Sequence, residues 1–182
     1  ELLEPGVIKV IEGNRFTLGE LDNQRTPRIE ALSKSMMAAG FKAPVSRDIR
    51  SEIWVKLWGN LTFNPVSALS HATLEDICTY PLTRELAQRM MEEAQRVGEK
   101  LGVTFKVSVD QRIAGAQAVG AHKTSMLQDV EAHRAVELDA LVSAVRELGQ
   151  RTGVDTPFTD ALLGLSRLHA QGMGLYPALG GT

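Results

Sequence analysis

The spacing of apolar residues changes character once along this chain, near residue 46. Before it, short runs rich in β-branched and aromatic residues dominate: Val7-Ile8-Lys9-Val10-Ile11 and Arg15-Phe16-Thr17-Leu18, separated by Glu12-Gly13-Asn14. They read as two short strands joined by a turn. A hairpin alone is marginal in water, so the pair is expected to belong to a larger sheet. Thr26-Pro27 reads as a helix start, with Thr as N-cap and Pro at the first helical position. Ile29, Leu32, Met36 and Met37 follow at helical spacing until Gly40 stops them, and Ala43-Pro44-Val45 reads as a last edge strand.

From Ser46 onward the pattern is helical. Ser46 is placed to cap a helix through Ile49, Ile53, Trp54, Leu57 and Leu61, which Pro65 is expected to end or kink. Thr73-Leu74-Glu75-Asp76 resembles a capping box with Asp in place of Glu. Pro81 opens a helix that ends near Gly102, and another is expected over 111–120. The clearest periodicity spans 125–149, with Leu127, Val130, Val136, Leu138, Leu141, Val145 and Leu148 on one broad face of a single helix. Thr156-Pro157 starts the last helix.

Composition narrows the class. The 182 residues are 43% hydrophobic and 23% charged, ordinary globular usage, and the net charge of -2 with no basic patch argues against a nucleic-acid partner. The apolar runs fall well short of the roughly 18 residues of a membrane span. Cys78 is the one cysteine, so no internal disulfide is possible, which fits a reducing cytoplasm. Glu1 stands where a start Met would, and no signal peptide follows, so the sequence reads as part of a longer one.

Two stretches could carry chemistry. On the apolar helix 53–61, Lys56, Asn60 and Asn64 recur at i, i+4 and i+8 as one polar stripe. The stripe is either the solvent face of a surface helix or the wall of a wet cleft, because a buried lysine is costly unless paired. Ser125 sits where a helix begins, and serves either as a plain N-cap or beside free N–H groups suited to an anion. Glu137 lies beside the apolar stripe of 125–149, as a solvated residue or as part of a site. Asp129, His133 and Glu137 fall at i, i+4 spacing, which reads as a surface charge pattern rather than a metal site. No Gly-x-Gly-x-x-Gly or Walker loop is present. Cys78 reads as a core thiol.

The run Glu52-Ile53-Trp54-Val55-Lys56-Leu57-Trp58-Gly59-Asn60-Leu61-Thr62-Phe63-Asn64-Pro65 resembles the central helix of the ketopantoate reductases (2-dehydropantoate 2-reductases). Ser125-Met126-Leu127-Gln128-Asp129 followed by Glu137-Leu138-Asp139 resembles that family's second signature. The likeness extends from Gly6-Val7-Ile8 and Gly19-Glu20 to Gly153-Val154-Asp155-Thr156-Pro157, with both motifs in order.

The resemblance implies a mainly α fold. Residues 48–182 would form a helical substrate-binding and catalytic domain of the 6-phosphogluconate dehydrogenase C-terminal-domain-like type. Residues 1–47, strands plus one helix, would be the α/β remnant of a dinucleotide-binding domain. The implied activity is that of a cytoplasmic, NADPH-dependent oxidoreductase that reduces 2-dehydropantoate to pantoate in pantothenate and coenzyme A biosynthesis. NADPH would be held mainly by the preceding part of that domain, so this stretch alone is expected to be inactive. By position, the family's pattern makes Lys56 the general acid at the ketone oxygen. It assigns Asn60 and Asn64 to the substrate hydroxyl, Ser125 to its carboxylate, and Glu137 to a hydrogen bond near the C2 oxygen. Lys56 and Glu137 are therefore expected to face one cleft. The family often has Asn three positions before the signature serine, where this chain has His122. No metal is implied, and the partner is a small molecule rather than nucleic acid or membrane. Two other readings stand beside this one. One is a reductase of another 2-oxo acid. The other is a non-catalytic association module whose helical domain pairs as a homodimer.

Overall fold

The computed structural model describes residues 2–10 and 13–177, and its contacts divide the chain into units of residues 1–52 and 53–182. In the first unit, β1 (Leu2–Glu4) and β2 (Val7–Ile8) pair antiparallel about Pro5-Gly6, where Gly6 takes φ +84°. Val7-Ile8 therefore pairs with the residues before it, not with Arg15–Leu18 as the hairpin reading expected; Ile11 and Glu12 lie outside the described residues. Arg15–Leu18 instead runs parallel to Lys42–Val45. Lys42 N donates to Asn14 O at 2.8 Å, Phe16 N to Lys42 O at 2.7 Å, Leu18 N to Pro44 O at 2.9 Å and Ser46 N to Leu18 O at 2.7 Å. Parallel partners need a crossover, and α1 (Pro27–Ala38) supplies it.

Helix α1 is built as its sequence predicts. Thr26 Oγ1 accepts from Ile29 N, Pro27 takes the first position, and Gly40 beyond its end adopts φ +92°. It buries Ile29 and Ser33, whose hydroxyl donates to Ala43 O at 2.6 Å and ties the crossover to the parallel pair.

Helix α2 (Ile49–Ser70) is capped by Asp48 rather than Ser46: Asp48 Oδ1 accepts from Ser51 N, while Ser46 Oγ accepts from Asp48 N. The helix does not end at Pro65 but runs through it to Ser70. A mid-helix proline costs about 3 kcal/mol. Burial of every residue from Leu61 to Ala68 provides the packing that offsets it.

In residues 53–182, α4 (Pro81–Lys100) packs against α3 (Leu74–Thr79), α5 (Val109–Gln117), α7 (Ala144–Thr152) and α8 (Pro157–Gly172). The capping box at α3 forms, with Thr73 Oγ1 accepting from Asp76 N and Asp76 accepting from Thr73 N. Trp58 is fully buried; its indole N–H donates to Met91 O at 2.7 Å and its ring lies 4.7 Å from that of Phe105. Gly98 leaves the space these aromatics fill, since a Cβ there would meet Phe105 at 2.9 Å and Trp54 at 3.3 Å. A second core gathers Met126, Val130, Leu138, Val142, Leu163 and Ala170. Among the described residues, no helix is long and apolar enough to cross a membrane.

The expected single helix over 125–149 is three elements: α6 (Ser125–Glu131), a π-helical turn at Asp139–Ser143, and α7. His133 causes the break. It takes φ +53°, its N–H donates to Val130 O, and Arg134 N–H donates to Asp129 O at 2.8 Å. This is a Schellman termination with histidine where glycine is usual. The apolar stripe continues across it: Val130, Val136, Leu138 and Leu141 line the second core, and Val145 and Leu148 pack on the first.

Candidate functional site

The polar stripe of α2 runs from solvent into the core. Lys56 is exposed, Asn60 is half-buried, and Asn64, two turns further, is 6% exposed. At 1.5 Å rise per residue, Lys56 stands about 6 Å along the helix axis from Asn60 on the same face. The stripe is thus neither wholly a solvent face nor wholly buried.

Asn60, Asn64 and Ser125 line one cavity of about 280 Å³, together with Gly59, Arg112, His122 and the apolar Phe63 and Val119. Thr124, not Ser125, is the N-cap of α6: its Oγ1 accepts from Leu127 N at 3.3 Å. The cap is one residue earlier than the plain reading of Ser125 required, which leaves the exposed Ser125 hydroxyl free at the cavity wall. The side chains of Asn60, Asn64, Ser125 and Arg112 make no hydrogen bond or ion pair with any described residue. Four unpartnered polar groups around one concave space present donors and acceptors to whatever enters it.

Arg112 is the lining residue that sequence reasoning missed. It lies on α5 between the cap Ser108 and the buried Ile113 and Ala116, and its Nε is buried without an acceptor. Burial lowers its pKa, opposed by the nearby Cys78 thiol. Cys78 itself is buried, and desolvation is the main cause raising its pKa, so it is the inert core thiol expected. A signal for Arg112 did exist: Gly59, a glycine inside an otherwise helix-forming run, is where a Cβ would collide with the Arg112 guanidinium.

Lys56 and Glu137 are not among the residues lining this cavity. Both are exposed, and neither forms an ion pair or a side-chain hydrogen bond with a described residue. Glu137 stands just before the π turn, where its carbonyl accepts from Leu141 N at 3.3 Å. After the Schellman termination Asp129, His133 and Glu137 no longer share a helix face, and among the described residues no group of three His, Cys, Asp or Glu is placed to hold a metal.

Comparison with known proteins places this arrangement in company. Residues 48–170 match the family described as ketopantoate reductase PanE/ApbA C terminal. A 2-dehydropantoate 2-reductase of Mesorhizobium japonicum is 55% identical over 176 residues, which cover 97% of this chain and 54% of the relative. A Ralstonia solanacearum MolK2 protein assigned as a ketopantoate reductase superposes with TM-score 0.90 at 43% identity, over 96% of this chain and 53% of that one. The 2-dehydropantoate 2-reductase of Methylococcus capsulatus gives TM-score 0.82 at 25% identity, over 94% and 55%. The chain spans about half the length of the relatives it matches.

Proposed function

The chain belongs to the ketopantoate reductase family through that family's C-terminal domain, and from this premise we propose that it is the substrate side of an enzyme that reduces 2-dehydropantoate to pantoate. The observation that supports this is the cavity in which Asn60, Asn64 and Ser125 converge with their polar groups unpartnered. A small hydroxylated 2-oxo acid needs donors and acceptors for a hydroxyl, a ketone and a carboxylate within one small space, and this wall offers them. Asn60 and Asn64 bind the hydroxyl, each amide able both to donate and to accept. Ser125 donates to the carboxylate. Lys56, one turn along α2 from Asn60, holds a proton on Nζ for the C2 oxygen. An ammonium placed there counters negative charge that develops only in the transition state. Glu137, which lies outside the lining of this cavity and forms no ion pair with Lys56, takes the hydrogen bond near that oxygen on the family's pattern alone.

A nicotinamide dinucleotide, NADPH in this reading, supplies the hydride when bound. Residues 1–182 contain no Gly-x-Gly-x-x-Gly turn, so its phosphates are held mainly by the preceding part of the dinucleotide-binding domain. The test is NADPH oxidation followed at its near-ultraviolet absorbance with the whole protein and 2-dehydropantoate. Saturable turnover that yields pantoate supports the assignment; none at millimolar substrate overturns it.

One feature favours a second substrate within the same class. His122 lines the cavity at the position where the resemblance expects Asn, and a bulkier, ionisable ring there suits a 2-oxo acid with a different side chain. A panel of 2-oxo acids ranked by kcat/KM separates the two.

A further inference from the structure

Arg112 has no partner in a place where a cation needs one. Its guanidinium lies against Gly59 of α2 in the cavity wall, its Nε is buried without an acceptor, and no described carboxylate pairs with it. The one titratable neighbour acting on it is the Cys78 thiol, which burial keeps protonated. A partly desolvated guanidinium with no counter-charge among the described residues is compensated when an anion pairs with it. Gly59 fits the same account. Glycine is disfavoured inside a helix, yet a Cβ there would run into the Arg112 guanidinium and force its tip to move.

We propose that Arg112 is the anchor for the carboxylate of the 2-oxo acid, an inference that rests on the reductase reading above. The planar fork of a guanidinium matches two carboxylate oxygens at once, which a hydroxyl or a lysine cannot do. Ser125 then adds a further donor to the same group, while Asn60 and Asn64 are left for the neutral part of the molecule. The cavity thereby selects acids over their uncharged analogues.

The test uses the whole protein and two probes, pantoate and its primary amide, titrated calorimetrically into wild type, R112Q, R112K and G59A. Wild type is expected to bind the acid about 10- to 100-fold more tightly than the amide, the scale of a charged hydrogen-bonded pair. R112Q removes that preference, weakening binding of the acid far more than binding of the amide; R112K keeps only part of it. G59A, whose Cβ forces the guanidinium tip to move without removing the charge, lowers the preference in the same direction as R112Q but by less, and decides the matter where R112Q does not fold. A preference within twofold of wild type in R112Q and G59A overturns the anchor, as does a wild type that does not distinguish acid from amide. If another 2-oxo acid replaces 2-dehydropantoate as substrate with the same dependence on Arg112, the substrate assignment falls and the anchor stands.

Discussion

Glu93 Oε2 accepts two hydrogen bonds from Thr159, one from its backbone N–H at 2.9 Å and one from its hydroxyl at 2.7 Å. Oε1 takes the N–H of Phe158 at 2.9 Å, across 65 residues of sequence. The carboxylate is 1% exposed. Thr156, which the sequence marks as the cap of α8, makes no side-chain cap bond. The start of α8 is therefore satisfied from the middle of α4, and one residue joins the two helices.

Glu93→Ala leaves two N–H groups and a buried hydroxyl without acceptors. It is expected to destabilise the protein by about 2–4 kcal/mol, and Glu93→Gln, which keeps one acceptor, by less. Urea midpoints at constant slope measure this. A loss below about 0.5 kcal/mol for the alanine variant would show that water replaces the cap.

Lys56→Ala in the whole enzyme is expected to lower kcat by roughly 10²–10⁴, the scale of a lost general acid. Asn60→Ala, which removes a contact made equally in ground and transition states, raises KM and leaves kcat nearly unchanged. A kcat within about twofold of wild type for Lys56→Ala refutes the proton-donor role.

Thr26-Pro27, the Thr73–Asp76 box and the start of α4 were legible because caps are local: the residues that form them lie within one turn of each other. Asn60, Asn64 and Ser125 were legible as a set because two motifs carry them. What the sequence hid was set at long range. Arg15–Leu18 looks like a hairpin arm, and only packing of α1 decides that its partner is Lys42–Val45 in parallel. His133 reads as one more helical residue, since nothing local says that a histidine will adopt a left-handed conformation. Arg112 and Glu93 look like ordinary surface charges on amphipathic helices until Gly59 and the start of α8 are brought against them.

His133→Gly places the residue without a Cβ at the left-handed position of the Schellman turn. The substitution is expected to raise stability by up to about 1 kcal/mol. Thermal unfolding reads the gain; an unchanged or lower Tm would mean that the imidazole makes up for its backbone.

Asp139 Oδ1 accepts from Tyr176 Oη at 2.7 Å, Arg167 Nη2 at 2.7 Å and Ser143 Oγ at 2.8 Å. The bond from Tyr176 is the largest cause holding its pKa below the ordinary carboxylate value. A depressed folded pKa gives stability that is present above the unfolded value, near 3.9, and lost as pH falls through the folded one. Asp139→Asn should therefore be less stable than wild type at neutral pH and converge with it in acid. Its side chain is 64% exposed, and solvent screening holds the difference to about 1 kcal/mol. Parallel pH–stability curves for the two proteins would contradict this.

Cys78 should resist alkylation in the native state, since its thiol is buried and burial raises its pKa. Iodoacetamide labelling is expected to be at least about 10³-fold slower than in denaturant, because it waits on unfolding. Native labelling at the denatured rate would place the thiol at the surface.

Both tryptophans of the sequence, Trp54 and Trp58, stand on α2, one turn apart in the first core, and both tyrosines lie beyond residue 53. Residues 1–52 contain only Phe16 and Phe41 as aromatics. Intrinsic fluorescence is consequently blind to the first unit and reports on the second alone, whereas far-ultraviolet circular dichroism also registers α1. Superimposing the two optical signals during denaturation asks, without a label or a mutation, whether the halves of this chain melt together or in turn.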